Sequence, residues 1–227
     1  MSDARESGST PVTVGGKTLM TPKGTAMAVP GAALAAAIAA EWADIPKGKK
    51  PDPRQLKLTR VAASALDLVR PQRARVIADL LAYAETELVC HRADAPPGLV
   101  ARQDATWQPL LDWLQVAHDA RLVVTRGVLA HDQPSESLAA LEAAMAALDD
   151  FALAALSLAT TTAGSLVIGL ALIAGRIDAA QAFDAAELDA TYQIEQWGED
   201  AEAAARRTEV RADLATAEHF ARLARAG

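Results

Sequence analysis

Near the N-terminus, apolar and polar residues alternate with a period of two, which is typical of short β-strands. Val12 and Val14 flank Thr13, and the Gly15-Gly16 pair that follows them is a two-residue hairpin signal. Residues 1–10 carry no such pattern, and we expect them to be disordered. The pattern predicts strands at residues 12–14, 19–20 and 26–29, with turns at residues 15–16 and 22–24.

From residue 32 onward, the apolar positions recur at the helical spacing of three and four residues. Leu34, Ile38 and Trp42 form one such stripe. The longest apolar run, residues 166–174, predicts a buried core helix. The candidate helices are residues 32–43, 56–69, 72–87, 97–118, 136–147, 150–161, 165–175, 178–195 and 200–225.

A few residues mark the ends of these helices. Pro71 stands where a helix can begin, because its missing N–H is not needed there, whereas Pro109 would kink the helix that contains it. Asp149 or Asp150 can cap the helix that follows them. Residues 121–128 are the one later strand candidate.

The stretch at residues 45–55, IPKGKKPDPRQ, is basic, rich in proline and almost devoid of apolar side chains. We interpret it as a loop and as the domain boundary. The expected domains are residues 1–50, a disordered start and a small β-rich part that ends in a helix, and residues 51–227, an α-helical domain. The predicted fold class is therefore α+β, a small β-rich N-terminal domain followed by a larger all-α domain. Two or three short strands rarely stand alone, so they need a packing partner or a further strand.

Composition supports this prediction and limits the choice of partner. Apolar residues make up 51% of the 227 residues and aromatic residues only 4%, and the abundant alanine favours helix. The net charge of −7 is uneven: residues 1–60 hold nine Lys/Arg and five Asp/Glu, whereas residues 61–227 hold thirteen and twenty-four. Phosphate binding needs a basic footprint, so the acidic bulk argues against nucleic acid as the main ligand. It suits a basic or mixed protein partner.

The sequence also bears on the compartment. The N-terminal MSDARESGST has no apolar run and no arginine-rich amphipathic pattern, so we expect neither a secretory signal nor a transit peptide. The apolar run at residues 166–174 is too short to cross a bilayer, which takes about 20 residues. We expect no membrane insertion, and a cytoplasmic location in a bacterium or the mitochondrial matrix in a eukaryote.

Patterns that carry catalytic or metal chemistry are weak in this chain. Gly15-Gly16-Lys17-Thr18 resembles the end of a phosphate loop, but the upstream glycine and the preceding buried strand are missing. Cys90 is the single cysteine, which excludes an internal disulfide and a cysteine zinc site, and we expect it to be a small buried apolar residue. The four histidines have no metal-ligand spacing. We expect no metal, no cofactor and no catalytic residue.

The segment LDATYQIEQWGEDAEA, residues 188–203, concentrates acidic residues around an aromatic one. On a continuous helix, Glu195, Glu199 and Glu202 would share one face, with Trp197 between them. Arg206 lies four residues after Glu202 and can pair with it, whereas Glu195 has another acid at that spacing. This imbalance indicates a surface that meets a partner. The alternatives are an ordinary solvated helix end and a pair of Glu195 with a distant arginine such as Arg60 or Arg102.

Seven segments of the chain form a further pattern: GKTLMTPKGTAMAVP, Glu41-Trp42, LKLTRVAASALDLV, YAETELVCHRA, ARQDATWQPLLDW, AGSLVIGLAL and QIEQWGEDAEA. Together they resemble the ATP synthase assembly chaperones that act on the alpha subunit of the soluble catalytic head. The resemblance runs from about Gly16 to about Arg207, and the order and spacing of its segments make it specific, although each segment alone is weak. Arg60, Asp67, Arg102 and Asp112 belong to the matching motifs.

The chain departs from that family at a few positions. Family members usually have one more N-terminal strand, which the sequence does not show. Ala63-Ser64 stands where the family often has an Asn-Thr pair, Tyr192 replaces a usual tryptophan, and Ala190 replaces a usual acid. The last two departures affect the expected C-terminal surface more than the family assignment.

The resemblance implies a two-part fold without catalysis, in a protein that holds the unassembled alpha subunit and shields the surface that later meets the beta subunit. It also implies an important acidic residue in the helical domain, which we place at Glu195. The expected partner-binding residues are Glu195, Glu199, Glu202 and Trp197, although for Trp197 we favour a place in the core. We expect a monomer whose partner is the alpha subunit.

Two further expectations concern the motif residues. Arg60 and Asp67 can form a buried pair that joins helices, and we favour that structural role over contact with a client. The alternative function is a small-molecule-binding helical enzyme or sensor, which would need a polar pocket around Arg60, Tyr83 and Arg102. Suppression of alpha-subunit aggregation without added nucleotide would favour the chaperone.

Overall fold

The computed structural model describes residues 9–43, 45–46, 49, 51–127 and 131–226. Its N-terminal strands are β1 (Ser9–Pro11), β2 (Thr13–Val14), β3 (Lys17–Thr18) and β4 (Ala28–Pro30). The predicted hairpin is confirmed, because β2 pairs with β3 antiparallel and the glycines between them have φ of +58° and +78°. These positive φ values are what a primed two-residue turn requires, and glycine adopts them without strain.

Strand β1 is a correction to the sequence analysis. It pairs antiparallel with β4, so that Thr10 lies opposite Val29, whereas residues 1–10 were expected to be disordered. Residues 1–8 lie outside the described residues. The Ser-Thr-Pro sequence of β1 has no apolar alternation, and its strand geometry comes from the ladder that β4 provides.

Helix α1 (Ala32–Ala43) follows β4 and buries Leu34 and Ile38. Its last turn organises the start of helix α2 (Lys57–Ser64). The two carboxylate oxygens of Glu41 accept hydrogen bonds from the backbone N–H groups of Leu58 and Thr59, at 2.7 and 2.9 Å. A helix N-terminus leaves such N–H groups without intrahelical partners, so Glu41 supplies the cap that α2 lacks in its own sequence.

Residues 57–85 form one uninterrupted helical run instead of the two helices that the sequence predicts. Helix α2 continues into a π-helical turn (Ala65–Val69) and a 3-10 turn (Arg70–Gln72), and then into α3 (Arg73–Glu85). Pro71 has no N–H, so it cannot donate to the carbonyl of Asp67 four residues earlier. The Lys23 Nζ donates to that carbonyl at 2.9 Å. The proline therefore changes the helix type and leaves a carbonyl that a distant lysine satisfies.

The remaining described residues are mostly helical, as predicted. A 3-10 turn (Leu88–Cys90) leads to a short parallel pair, β5 (His91–Arg92) with β6 (Thr125–Arg126), of which the sequence indicated only the second strand. Residue 128, at the end of that predicted strand, lies outside the described residues. The helices are α4 (Pro97–His118), α5 (Ser135–Ala147), α6 (Asp150–Ala163), α7 (Leu166–Ala174), α8 (Ala179–Ala186), α9 (Leu188–Trp197) and α10 (Ala201–Arg225).

Side chains close in sequence cap the N-termini of two helices. The Oδ1 of Asp149 accepts from the N–H groups of Phe151 and Ala152, which makes Asp149 the cap that the sequence left open between two aspartates. Helix α8 begins with a reciprocal capping box between Asp178 and Gln181. The single helix predicted at residues 178–195 is divided in two at Glu187.

The chain forms two compact units. The first comprises Met1–Arg73, Leu148–Ala155 and His219–Gly227, and the second comprises Ala74–Ala147 and Leu156–Glu218. In the second unit, eight of the nine residues of α7 are buried, and the indole N–H of the buried Trp107 donates to the carbonyl of Ala185 at 2.9 Å. The predicted core helix at residues 166–174 and the α+β fold class are confirmed. The predicted boundary at residues 45–55 stays a prediction.

Two general properties apply to the part of the chain that the structure describes. None of its helices combines the length and the apolar character needed to cross a bilayer. None of its clusters of His, Cys, Asp and Glu has three or more members placed to hold a metal ion.

Candidate functional site

The acidic segment forms a corner between two helices rather than one helix face. Helix α9 ends at Trp197, Gly198 adopts φ of +86°, and α10 begins at Ala201. Asp200 caps the new helix, because its Oδ1 accepts from the N–H of Ala203 at 2.8 Å. We call residues 195–202 the α9–α10 corner. The shared face expected on a continuous helix is not formed: Glu195 is on α9, Glu199 is between the helices and Glu202 is in the first turn of α10.

Glu195 has an ionic partner that its own helix does not provide. Its Oε2 lies 2.7 Å from Nη1 of Arg102 on α4, and the guanidinium of Arg102 lies 5.3 Å from the centre of the Tyr192 ring. The side chains of Arg102 and Glu195 are 49% and 43% exposed, so solvent screens their attraction. Such a pair contributes at most about 1 kcal/mol to stability, but it fixes the last turn of α9 against α4.

Glu199 is held by Arg207 from α10. The Nε of Arg207 lies 3.1 Å from Glu199, and its Nη1 lies 3.1 Å from the buried carboxylate of Glu187. Its Nη2 donates to the Thr191 hydroxyl at 3.0 Å, and its guanidinium lies 5.0 Å from the centre of the Phe183 ring. Arg207 therefore joins the corner to α9 and to the junction between α8 and α9.

Glu202 does not form the pair that its sequence spacing suggested. Arg206 instead donates to both carboxylate oxygens of Glu187, at 2.9 and 2.6 Å. This two-point hydrogen bond raises the pKa of Arg206. Among the residues that the structure describes, none forms an ion pair or a side-chain hydrogen bond with Glu202, which is exposed. Glu202 is therefore the carboxylate of the three that is available to a partner.

Trp197 is exposed, and the expectation that it belongs to the core is wrong. Its exposed fraction is 76%, whereas Trp107 is buried at 1%. Trp197 is the last residue of α9, and the chain turns at Gly198 directly after it. The corner thus presents a large apolar side chain among carboxylates.

The motif residues are placed differently from the expectation of a buried pair. Arg60 is exposed, and Asp67 binds the turn at residues 21–25. The Oδ1 of Asp67 accepts from the hydroxyls of Thr21 and Thr25 at 2.8 and 3.2 Å, and its Oδ2 accepts from the N–H of Lys23 at 3.1 Å. The predicted pair of Arg60 with Asp67 is wrong, since hydroxyl and backbone donors take its place. Asp112 is exposed and accepts from Gln108 on its own helix at 2.8 Å.

We expect Asp67→Ala to lower the free energy of unfolding at pH 7 by about 1 to 3 kcal/mol, because it leaves the buried Thr21 hydroxyl without its acceptor. Desolvation opposes ionisation of Asp67, but the hydrogen bonds from Thr21, Lys23 and Thr25 outweigh it and lower the pKa. A lowered carboxyl pKa stabilises the fold above the ordinary value of 3.8, and this stabilisation is lost as the pH falls through the folded pKa.

Urea unfolding of wild type and Asp67→Ala at pH 7 and pH 3 measures this difference. The matched control is Asp79→Ala, since Asp79 is exposed and its ion pair is with Arg75 on the same helix. A deficit of Asp67→Ala that is the same at both pH values, or no larger than that of Asp79→Ala, would contradict the assigned role.

The three residues expected around the alternative small-molecule pocket belong to two different compact units. Arg60 is exposed in the first unit, whereas Tyr83 is half-buried and Arg102 is exposed in the second. Arg102 is engaged with Glu195 and Tyr192. None of these observations favours the pocket.

The sequence analysis assigned no structural role to Glu87, which lies in the YAETELVCHRA segment. Glu87 is fully buried, and its Oε2 accepts from the N–H groups of Leu166 and Val167 at 2.9 and 3.2 Å. The neighbouring Cys90 is buried as expected, and burial together with the charge of Glu87 raises the pKa of its thiol to about 12. The N–H of Val89 donates to Glu87 locally at 3.4 Å, but the donors at the start of α7 lie about eighty residues away. The capping of α7 by Glu87 therefore has no local sequence signal.

Comparison with known proteins adds to this geometry. Residues 1–115 match the ATP12 chaperone protein family. The crystal structure of Atp12 from Paracoccus denitrificans is similar, with 41% identity, a TM-score of 0.87, and coverage of 92% of this chain and 89% of that one. A mutant of the same protein matches at 40% identity and a TM-score of 0.86, over 92% and 88% of the two chains. The Atu1473 protein from Agrobacterium tumefaciens matches at 34% identity and a TM-score of 0.86, over 95% and 80%.

Proposed function

Because the chain belongs to the ATP12 chaperone family, we propose that it is an assembly chaperone for the catalytic head of the F-type ATP synthase. In this proposal it binds the unassembled alpha subunit and prevents its aggregation until the beta subunit pairs with it. The family is one of chaperones rather than enzymes. The client itself comes from the resemblance of the seven motif segments, which extend over most of the chain.

The proposed client-binding surface is the α9–α10 corner, with Glu195, Trp197, Glu199 and Glu202. The observation that carries this choice is the 76% exposure of Trp197 in an acidic surrounding. An exposed tryptophan leaves a large, rigid apolar surface in water, and tryptophan is enriched among the residues that dominate binding energy at protein interfaces. Acidic neighbours favour a client with basic side chains and disfavour an acidic one.

A chaperone that must release its client needs only a small binding surface. An alpha subunit without its partner exposes an apolar interface that promotes aggregation. A chaperone must cover that interface and yet leave when the beta subunit arrives. One aromatic anchor with charged neighbours gives selectivity without the large buried area of a permanent complex.

We expect the purified protein to suppress the aggregation of isolated alpha subunit at about equimolar ratio without added nucleotide, because masking the client interface needs no ATP-driven step. Light scattering of alpha subunit diluted from denaturant measures this effect. An unrelated aggregating protein serves as the control for general holding activity. Undiminished scattering of the alpha subunit at a severalfold excess of the chain would refute the proposal, and equal protection of the unrelated protein would refute its client specificity.

A further inference from the structure

We propose that Trp197 is the residue that anchors the client and that Glu195 and Glu199 are positioning residues that hold the corner instead of contacting the client. This inference rests on the proposed chaperone function and assigns roles within its surface. The client chemistry that fits is an apolar pocket wide enough for an indole ring, with a basic side chain at its rim.

The first argument is the environment of the tryptophans. Trp107 is buried with its indole N–H bonded to Ala185, and the indole N–H of Trp42 donates to Thr59 at 3.0 Å. Trp197 is 76% exposed and stands at a helix end. Within the described residues, none accepts a hydrogen bond from its indole N–H. Tryptophan supplies a rigid apolar surface with one polar group, which is why it is enriched among residues that dominate binding energy.

The second argument is that two of the three carboxylates are already engaged. Both oxygens of Glu195 face Nη1 of Arg102, at 2.9 and 2.7 Å. Glu199 is paired with Arg207 at 3.1 Å. Either carboxylate would have to give up its intramolecular arginine to bind a client cation, so the gain would be small. Their placement two residues before and two residues after Trp197 instead fixes the chain on both sides of the indole.

The third argument is that both arginines are themselves held. Arg102 lies against the ring of Tyr192, and Arg207 is fixed by Glu187, Thr191 and Phe183. The corner is therefore preorganised, and a client would not have to pay the conformational entropy of ordering it. Gly198, with φ of +86°, allows the sharp turn that ends α9 directly after the indole.

The negative charge of the α9–α10 corner indicates which side chains the client has at the edge of the pocket that receives the indole. Glu202 is exposed and unpaired among the described residues, so it is free to attract a cation. An arginine or lysine at the edge of the client pocket could approach Glu202 and also stack on the face of the indole. The segment from residue 61 onward holds twenty-four acidic and thirteen basic residues, which adds a general attraction for a basic surface.

The first test compares the Kd values of Trp197→Ala and Val116→Ala for purified alpha subunit, measured by biolayer interferometry or isothermal titration calorimetry. Val116 is a matched control: it is 88% exposed in the same unit and lies about 21 Å along α4 from Arg102, at 1.5 Å per residue. We expect Trp197→Ala to raise the Kd by about 30-fold or more, as for a hot-spot residue, and Val116→Ala to leave it unchanged. Equal affinity of wild type and Trp197→Ala for the alpha subunit would overturn the anchoring role of Trp197.

The second test exchanges the charges of the Arg102–Glu195 pair. Glu195→Lys and Arg102→Glu each place like charges together, and we expect each to weaken binding by loosening the corner. The double variant rebuilds the pair with reversed polarity. We expect it to restore the Kd to within about threefold of wild type, since coupled sites compensate each other. A double variant that binds as weakly as Glu195→Lys would show that the carboxylate contacts the client and would overturn its positioning role.

Further measurements separate the possible failures. Thermal melts of all variants check the fold. Trp197 and the Arg102–Glu195 pair are exposed, so we expect only small changes in melting temperature. If wild type does not bind the alpha subunit, the proposed function fails, whereas wild-type binding with intact Trp197→Ala binding defeats only the anchor. Sedimentation velocity of the chain alone tests whether a second copy binds the indole instead of the client. A dimer that dissociates in Trp197→Ala would show that it does and would overturn the anchoring role.

Discussion

We expect Glu87→Ala to destabilise the protein by about 3 to 5 kcal/mol, which is a large part of the stability of an ordinary domain. Glu87 is fully buried and supplies the acceptors for the start of helix α7. The Ser165 hydroxyl and the N–H groups of Leu166 and Val167 all donate to its carboxylate, and Ser165 also caps the N–H of Ile168. Truncation leaves these donors buried without a partner and opens a cavity beside them.

The charge of Glu87 adds a pH dependence. Burial raises its pKa to about 7, and the hydrogen bonds from Ser165 and the backbone oppose that rise only in part. A raised carboxyl pKa means that the folded state holds the proton more tightly than the unfolded state. The resulting stabilisation is complete below the ordinary value of 4.5 and is lost as the pH rises through about 7.

Urea unfolding of wild type, Glu87→Ala and Glu87→Gln between pH 4.5 and pH 8 measures both effects. Glu87→Gln keeps the shape without the ionisation, so the stability difference between wild type and this variant should fall as the pH rises across that range. The control is Glu85→Ala, since Glu85 is exposed at the end of α3. A midpoint of Glu87→Ala close to that of Glu85→Ala would contradict the capping role, and a pH-independent difference for Glu87→Gln would contradict the raised pKa.

The second large effect is expected for Gly169→Ala, in the middle of the buried helix α7. A Cβ at residue 169 would lie 2.5 Å from the Thr160 hydroxyl oxygen, 3.1 Å from the Thr160 backbone nitrogen and 3.2 Å from Leu156 Cδ1. The backbone nitrogen belongs to α6 and cannot rotate away. We expect a loss of about 1 to 3 kcal/mol from this overpacking, which outweighs the roughly 1 kcal/mol by which alanine favours a helix.

The matched control for Gly169→Ala is Gly98→Ala, near the start of helix α4. A Cβ at residue 98 would meet only the Tyr192 side chain, with the hydroxyl oxygen at 3.6 Å and a ring carbon at 3.9 Å, which is ordinary contact. We expect this change to be neutral or slightly stabilising. Combining Gly169→Ala with Thr160→Ala should recover part of the loss, since the closest contact disappears while the backbone contact remains. Comparable melting temperatures of Gly169→Ala and wild type would refute the close approach of the two helices.

Local patterning by itself determined most of the helices and the N-terminal hairpin. The Gly15-Gly16 pair forces the hairpin turn because its positive φ values suit glycine. Asp149 caps α6 through bonds that span only two or three residues. Helix α7 follows from its apolar run, because a helix that is apolar on all sides is stable only in a core. The family resemblance also lies in the sequence, since it depends on the order and spacing of short motifs.

Only the tertiary structure decided how the charged residues are paired. Sequence spacing assigned Arg206 to Glu202 and left Glu195 without a partner, whereas the fold brings Arg206 to Glu187 and Arg102 to Glu195. Spacing rules cover neighbours on one helix, but these partners lie 19 and 93 residues apart in the chain. The exposure of Trp197 was also beyond the sequence, because an aromatic residue at helical spacing fits a core as well as a surface. What decided it is the packing of the other elements around the end of α9, which leaves the indole 76% exposed.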